Sequence, residues 1–140
     1  MANNNLNDIK SVILLASRLQ NLFEGFDETN KSAVLTSKVK ILIQASIKDR
    51  VSPSLLKRTV GLAKSNIALL CGKLQKEGLI EKYRDAFDTR EISYGITDAG
   101  RDYLNDFLTK AKKNFEGELA YKNNIEQINK QVKALFEMID

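Results

Sequence analysis

The sequence predicts a mainly α-helical fold with one small β-hairpin, laid out as a winged helix-turn-helix, and three observations predict it. Apolar residues recur every three or four positions over most of the chain, the spacing of amphipathic helices. In the middle, two short helical patterns meet at a sharp turn at Gly61, the arrangement in which a second helix can be presented to a major groove. Directly after them come "LIEKYR" and "EISYGIT", two strand-like segments separated by a polar loop.

A chain of 140 residues, 43% hydrophobic, is enough for one domain with a real core. The formal charge of +4 and the sequence pI near 9.1 indicate mild compatibility with a polyanion. Placement says more. From Lys57 to Arg84 there are seven basic residues (Lys57, Arg58, Lys64, Lys73, Lys76, Lys82, Arg84) against Glu77 and Glu81, a local +5, so the rest of the chain is net −1. The start "MANNNLNDIK" lacks a basic n-region and an apolar h-region, and no apolar run approaches membrane-spanning length. A cytoplasmic protein with no membrane partner is the expectation. One cysteine, Cys71, excludes an internal disulfide, and the absence of histidine removes the usual general base and the commonest metal ligand. No metal or cofactor is expected. The acidic pairs Asp85 with Asp88 and Glu116 with Glu118 have no nucleophile or base grouped with them, so they read as solvated surface and not as catalytic dyads.

The elements follow in order. Leu6, Ile9, Val12, Ile13, Ala16, Leu19, Phe23 and Phe26 mark a long first helix, which the polar stretch "DETNKSAVLT" ends. A second helix is expected from about Ser37 to Lys48 with Val39, Leu42, Ile43 and Ile47 inward. Ser52-Pro53 starts a third, since serine can cap free amides and proline at the first helical position gives up only a donor that lacked a partner. After Gly61, "LAKSNIALLCGKLQKEG" resumes helical spacing through Ile67, Leu70, Cys71 and Leu74 until Gly78 ends it. In the second strand, Ile92, Tyr94 and Ile96 alternate with Glu91, Ser93 and Gly95. Thr97 then begins a helix bearing Tyr103, Leu104, Phe107, Leu108, Ala111 and Phe115, which Gly117 is expected to interrupt. Tyr121, Ile125, Ile128, Val132, Leu135 and Ile139 form a seam of heptad type on a last helix.

This order, with its particular residues, resembles the MarR family of bacterial transcription regulators. Leu35 and Thr36 ("LT"), "GLAKSN" into the second helix of the pair, "EGLIEK" at its exit, "RD..D.R" across the loop and "IT..G" into the next helix carry the resemblance. It implies a homodimer on double-stranded DNA, with residues 1–34 as an N-terminal dimerisation helix and linker, 35–100 as the winged lobe and 101–140 as C-terminal dimerisation helices. The dimerisation residues would be Leu6, Ile9, Val12, Ile13, Ile125, Ile128, Val132, Leu135 and Ile139. The resemblance also implies that the hairpin is a wing whose Arg90 reaches phosphate or minor groove while Asp88 holds it. A carboxylate that pre-orients a guanidinium reduces a rotamer-entropy penalty that can approach ~2 kcal/mol. Asp85 can stiffen the turn through bonds to backbone amides.

On the outward face of the second helix, Ser65 and Asn66 suit base edges, while Lys64, Lys73 and Lys76, with Arg84 beyond, suit phosphates. Ala63 stands where the family usually has a capping serine or threonine, and Leu69 where a polar residue is common. Leu69 can contact a thymine methyl, with Ala68 and Gly72 allowing close approach, or pack on a neighbouring element; both readings stand. Cys71 falls on the buried side and reads as structural, not as a redox sensor. The family commonly binds small aromatic or phenolic acids, so such an effector is implied, though no motif marks its pocket. The alternative function is a winged-helix protein-interaction module without specific DNA binding.

Overall fold

The computed structural model describes residues 2–24, 36–118 and 121–139, with side chains over 6–20, 36–113 and 125–139. The elements are α1 (Ala2–Glu24), α2 (Ser37–Ile47), α3 (Pro53–Val60), α4 (Lys64–Lys76), β1 (Ile80–Arg84), β2 (Ile92–Ile96), α5 (Asp98–Glu118) and α6 (Tyr121–Ile139). They divide into two compact units, Leu35–Leu108 and a second made of Met1–Val34 with Thr109–Asp140. The mainly helical fold with one hairpin is the one expected from the sequence.

Local chemistry sets the boundaries in the first unit. Thr36 Oγ1 accepts from the Val39 amide at 3.3 Å and caps α2. Ser52 Oγ accepts from the Leu55 amide at 3.1 Å, with Pro53 opening α3, and Gly61 at φ 80° ends it. A left-handed glycine also ends α4: Gly78 has φ 76°, its amide donates to the Gln75 carbonyl, and the Leu79 amide donates to the Leu74 carbonyl, each at 3.0 Å. This is a Schellman termination, and Leu74 and Leu79 are both buried, as that motif favours. Thr97 closes the circuit. Its hydroxyl donates to the Gly78 carbonyl at 2.6 Å and accepts from the Gly100 amide at 3.0 Å, so one side chain caps α5 and ties it to the end of α4. A Cβ at Gly100 would overlap the Leu79 carbonyl, which explains why "IT..G" opens this helix.

The strands pair antiparallel, Ile80 opposite Ile96 and Arg84 opposite Ile92, and Val51 adds an isolated bridge to Tyr94 with bonds of 2.9 and 2.8 Å. The core of this unit contains Ile41, Leu42, Val51, Leu56, Ile67, Cys71, Leu74 and Ile80, each essentially inaccessible. Lys38 joins its surface together: its ammonium meets Glu77 at 2.7 Å and lies 4.5 Å above the Tyr103 ring. Burial pulls the Lys38 pKa down, but Glu77 and Tyr103 outweigh it and leave the net shift upward.

Four expectations are corrected. Ile47 is exposed, and the inward face of α2 instead carries Ile41 and Ala45 with Val39 and Leu42. Ile47 ends the helix five positions past Leu42, more than a full turn around and on the far side. Gly117 does not interrupt α5, which continues through it to Glu118. Within β2 the burial does not alternate cleanly, because Gly95 is covered as Tyr94 is: a Cβ there would lie 3.1 Å from the Tyr83 ring and 3.4 Å from the Asp49 carbonyl. Finally, Tyr103 and Leu108 stay substantially exposed while Leu104 and Phe107 are buried. The side chains of Phe23, Phe26, Leu35, Phe115, Glu116, Glu118 and Tyr121 lie outside the described residues.

The second unit differs in where its apolar residues go. Leu6, Ile9, Val12 and Ile13 on α1 are all more than half exposed, and on α6 Leu135 and Ile139 are exposed, with Ile125 and Ile128 partly covered. Among the described residues no helix is long and apolar enough to cross a membrane.

Candidate nucleic-acid interface

Helix α4 is anchored by one face and free on the other. Ile67, Cys71 and Leu74 are buried and Leu70 is half-buried, which fixes the rotation of the helix. Lys64, Ser65, Asn66, Leu69, Lys73 and Lys76 consequently all face solvent. Ser65 and Asn66 occupy the first turn, where unpaired backbone amides and the positive end of the helix dipole favour an anionic partner. Ala63 provides no side-chain cap. Lys73 and Lys76 stand in the last turn, where cations also complement the helix dipole. Leu69 is 63% exposed and so does not pack within its own unit.

The hairpin loop is built by its carboxylates. Asp85 Oδ1 accepts from the amides of Phe87 at 2.7 Å and Asp88 at 3.0 Å, and these two bonds hold the Asp85 pKa below the usual carboxylate value. Asp88 Oδ1 accepts from the Arg90 amide at 3.0 Å and from its guanidinium Nε at 3.2 Å. Arg90 thus projects into solvent with its inner nitrogen held and its terminal nitrogens available. Arg84 is exposed as well, and one nitrogen of its guanidinium donates to the Thr89 carbonyl at 2.9 Å and braces the loop across its base. At the strand end, Arg50 lies 3.8 Å over the Tyr83 ring, whose hydroxyl donates to Glu81 at 2.7 Å; that bond raises the Tyr83 pKa.

Sequence reasoning missed Phe87, which is 100% exposed at the loop tip. The signal was available, since a phenylalanine two residues from one aspartate and next to another has no core to reach. Cys71 lies where expected: it is fully buried, and desolvation pushes its thiol up to about 11, so it has little thiolate character near neutral pH. Among the described residues no group of acidic, cysteine or histidine side chains could hold a metal ion.

Neither a protein-family model nor a curated protein matches the sequence. Solved structures do. The transcriptional regulator BldR from Sulfolobus solfataricus aligns with a TM-score of 0.70 at 18% identity, over 98% of this chain and 97% of its own. The repressor CouR, bound to a 23-mer DNA duplex, aligns at 0.67 and 19% identity over 96% and 95%; CouR from Rhodococcus jostii bound to p-coumaroyl-CoA aligns at 0.67 over 91% and 90%. A mutant of E. coli MarR complexed with operator DNA aligns at 0.65 and 12% identity over 99% and 97%. At these identities the likeness is one of fold, and the chain has the winged helix-turn-helix fold shared by BldR, CouR and MarR.

Proposed function

We propose that the chain is a MarR-family transcriptional regulator that binds a pseudo-palindromic DNA operator as a homodimer and is modulated by a small-molecule effector. The observation that carries this reading is the pairing, in one lobe, of a solvent-facing helix bearing Ser65, Asn66 and three lysines with a wing whose Arg90 is held by Asp88. Such a helix offers hydrogen-bonding groups to base edges and cations to phosphates, and such a wing supplies an arginine already oriented for phosphate or minor groove. CouR and MarR, which share the fold, are each known bound to DNA.

The homodimer is supported by the exposed apolar side chains of α1 and α6, which leave Leu6, Ile9, Val12, Ile13, Val132, Leu135 and Ile139 open to a second copy. Two protomers would read half-sites about 10 bp apart, centre to centre. If four or five cations per protomer meet phosphates, a dimer neutralises roughly 8 charges, and log K falls with log salt at a slope near −7. An aromatic or phenolic effector is supported by CouR, which binds p-coumaroyl-CoA. A non-catalytic role accords with the fold.

The exposure of Leu69 and Phe87 also favours a second reading, a winged-helix module that docks on protein. Selection of bound sequences from a random duplex pool, at near-physiological salt with competitor DNA, separates the two. The regulator enriches an inverted repeat with the stated spacing. A dimer that enriches no sequence and shows little salt dependence is the interaction module.

A further inference from the structure

Helix α4 contains a glycine that its own fold does not require. Gly72 lies inside the helix, away from the positive-φ glycines at 61 and 78, and a Cβ built there meets no atom within 4 Å. Glycine in a helix interior is disfavoured against alanine because more backbone freedom is lost on folding. Nothing within the lobe accounts for the missing side chain. Ser65, Leu69, Gly72 and Lys76 are spaced by four, three and four residues, which places them along one outward line of the helix opposite Ile67, Cys71 and Leu74. On that line the exposed Leu69 side chain stands one turn from the bare backbone of Gly72, with Ala68 beside it. Together they form an apolar step between a hydroxyl at one end and an ammonium at the other.

A major groove offers one apolar group to such a step, the C5 methyl of thymine. Resting on the DNA-binding reading above, we propose that Leu69 is a specificity-determining residue that packs on a thymine methyl, and that Gly72 is the clearance that lets α4 come close enough for the contact. The polar neighbours fix the register: Ser65 and Asn66 meet base edges on the N-terminal side, and Lys76 meets phosphate beyond. Leu69 then distinguishes thymine from cytosine at one position in each half-site by the methyl group alone.

The test replaces each thymine of the selected operator in turn by deoxyuridine, which deletes the methyl and keeps the base pair. Affinities of the full chain are read by fluorescence anisotropy. Wild type is expected to lose about four-fold at one position per half-site, the factor one buried methyl supplies, and Leu69→Ala is expected to bind the thymine and deoxyuridine duplexes equally. Gly72→Val, with its helical circular dichroism unchanged, is expected to weaken binding to every duplex. Wild-type indifference to all deoxyuridine substitutions overturns the proposal, as does an equal penalty in Leu69→Ala. Either result would come with salt-dependent, sequence-selective binding intact, whereas failure to bind any duplex would remove the DNA-binding reading itself.

Discussion

The two units of this chain handle their apolar residues in opposite ways. In the winged lobe, Ile41, Leu42, Leu56, Ile67, Leu74 and Ile80 are all sealed from solvent by short elements that turn back on one another. On α1 and α6 the leucines, isoleucines and valines lie along faces that are mostly open, Val12 at 67% and Ile139 at 75% exposure. The lobe therefore has a core of its own. Side chains of the terminal helices each gain on the order of 1 kcal/mol or more only when another surface covers them, so in the proposed homodimer their stability is tied to association in a way the lobe's is not.

The sharpest break in that contrast comes from one substitution on each side. Ile67→Ala is expected to cost about 2–5 kcal/mol of lobe stability by leaving a cavity, with an effect on the melting temperature that is independent of protein concentration. Leu135→Asp is expected to leave the lobe's melt in place while converting a dimer to monomer in sedimentation velocity. A wild-type chain that sediments as a monomer at tens of micromolar would remove a second copy as the surface that covers those faces. Should Leu135→Asp remain dimeric, the seam on α6 is not the association surface.

How much of this was legible in the sequence depended on the range of the interaction. Ser52 with Pro53, Gly61 and Gly78 each report on backbone within four residues, and each stands where the pattern placed it. The Asp88 to Arg90 pairing is likewise local, two positions apart. What escaped depends on distant chain. Gly100 is small because the Leu79 carbonyl presses on it, and Gly95 is covered by Tyr83 from across the hairpin. The bond from Arg84 to the Thr89 carbonyl forms only once the loop folds back, so the basic stretch alone does not announce it. In α2 both Ile41 and Ile47 fit an apolar pattern, and only the surrounding elements decide that the first is inside and the second out.

Within the lobe the wing is the part least supported by burial, so its contribution should appear in binding and not in stability. Arg90→Ala is expected to reduce operator affinity about ten-fold, in line with one lost charge-assisted contact, and to leave the melt unchanged. Asp88→Ala keeps the cation but frees it, and is expected to cost about three-fold or less. Equal binding by Arg90→Ala and wild type would remove the wing from the interface.

Cys71 probes the same lobe from inside. Its folded-state pKa of about 11 lies above the ordinary thiol value of 9.0 because the site is desolvated. The fold thus favours the protonated thiol. That contribution is complete below about pH 9 and is lost as pH rises through 11. Urea midpoints should therefore fall between these values in wild type more than in Cys71→Ala, and a thiol reagent at neutral pH should label the native chain far more slowly than the unfolded one. Rapid native labelling would mean that the helix face carrying Cys71 opens readily, which the sealed neighbours Ile67 and Leu74 argue against.

The smallest expected effect is a gain. α4 starts at Ala63, whose backbone has the extended conformation of a helix cap, φ −61° and ψ 150°, but whose methyl group cannot accept the bond that Thr36 and Ser52 accept in α2 and α3. Ala63→Ser supplies that acceptor at a position already shaped for it. It is expected to add about 1 kcal/mol to lobe stability, read as a higher urea midpoint at constant slope, without altering the oligomeric state. Ser65 and Asn66 follow two and three positions on, so the same variant bears on binding: a serine that ties up a first-turn amide competes with a phosphate for it. Greater stability with weaker operator binding would identify the uncapped end of α4 as part of the DNA-contacting surface, and greater stability with unchanged binding would confine the contacts to side chains.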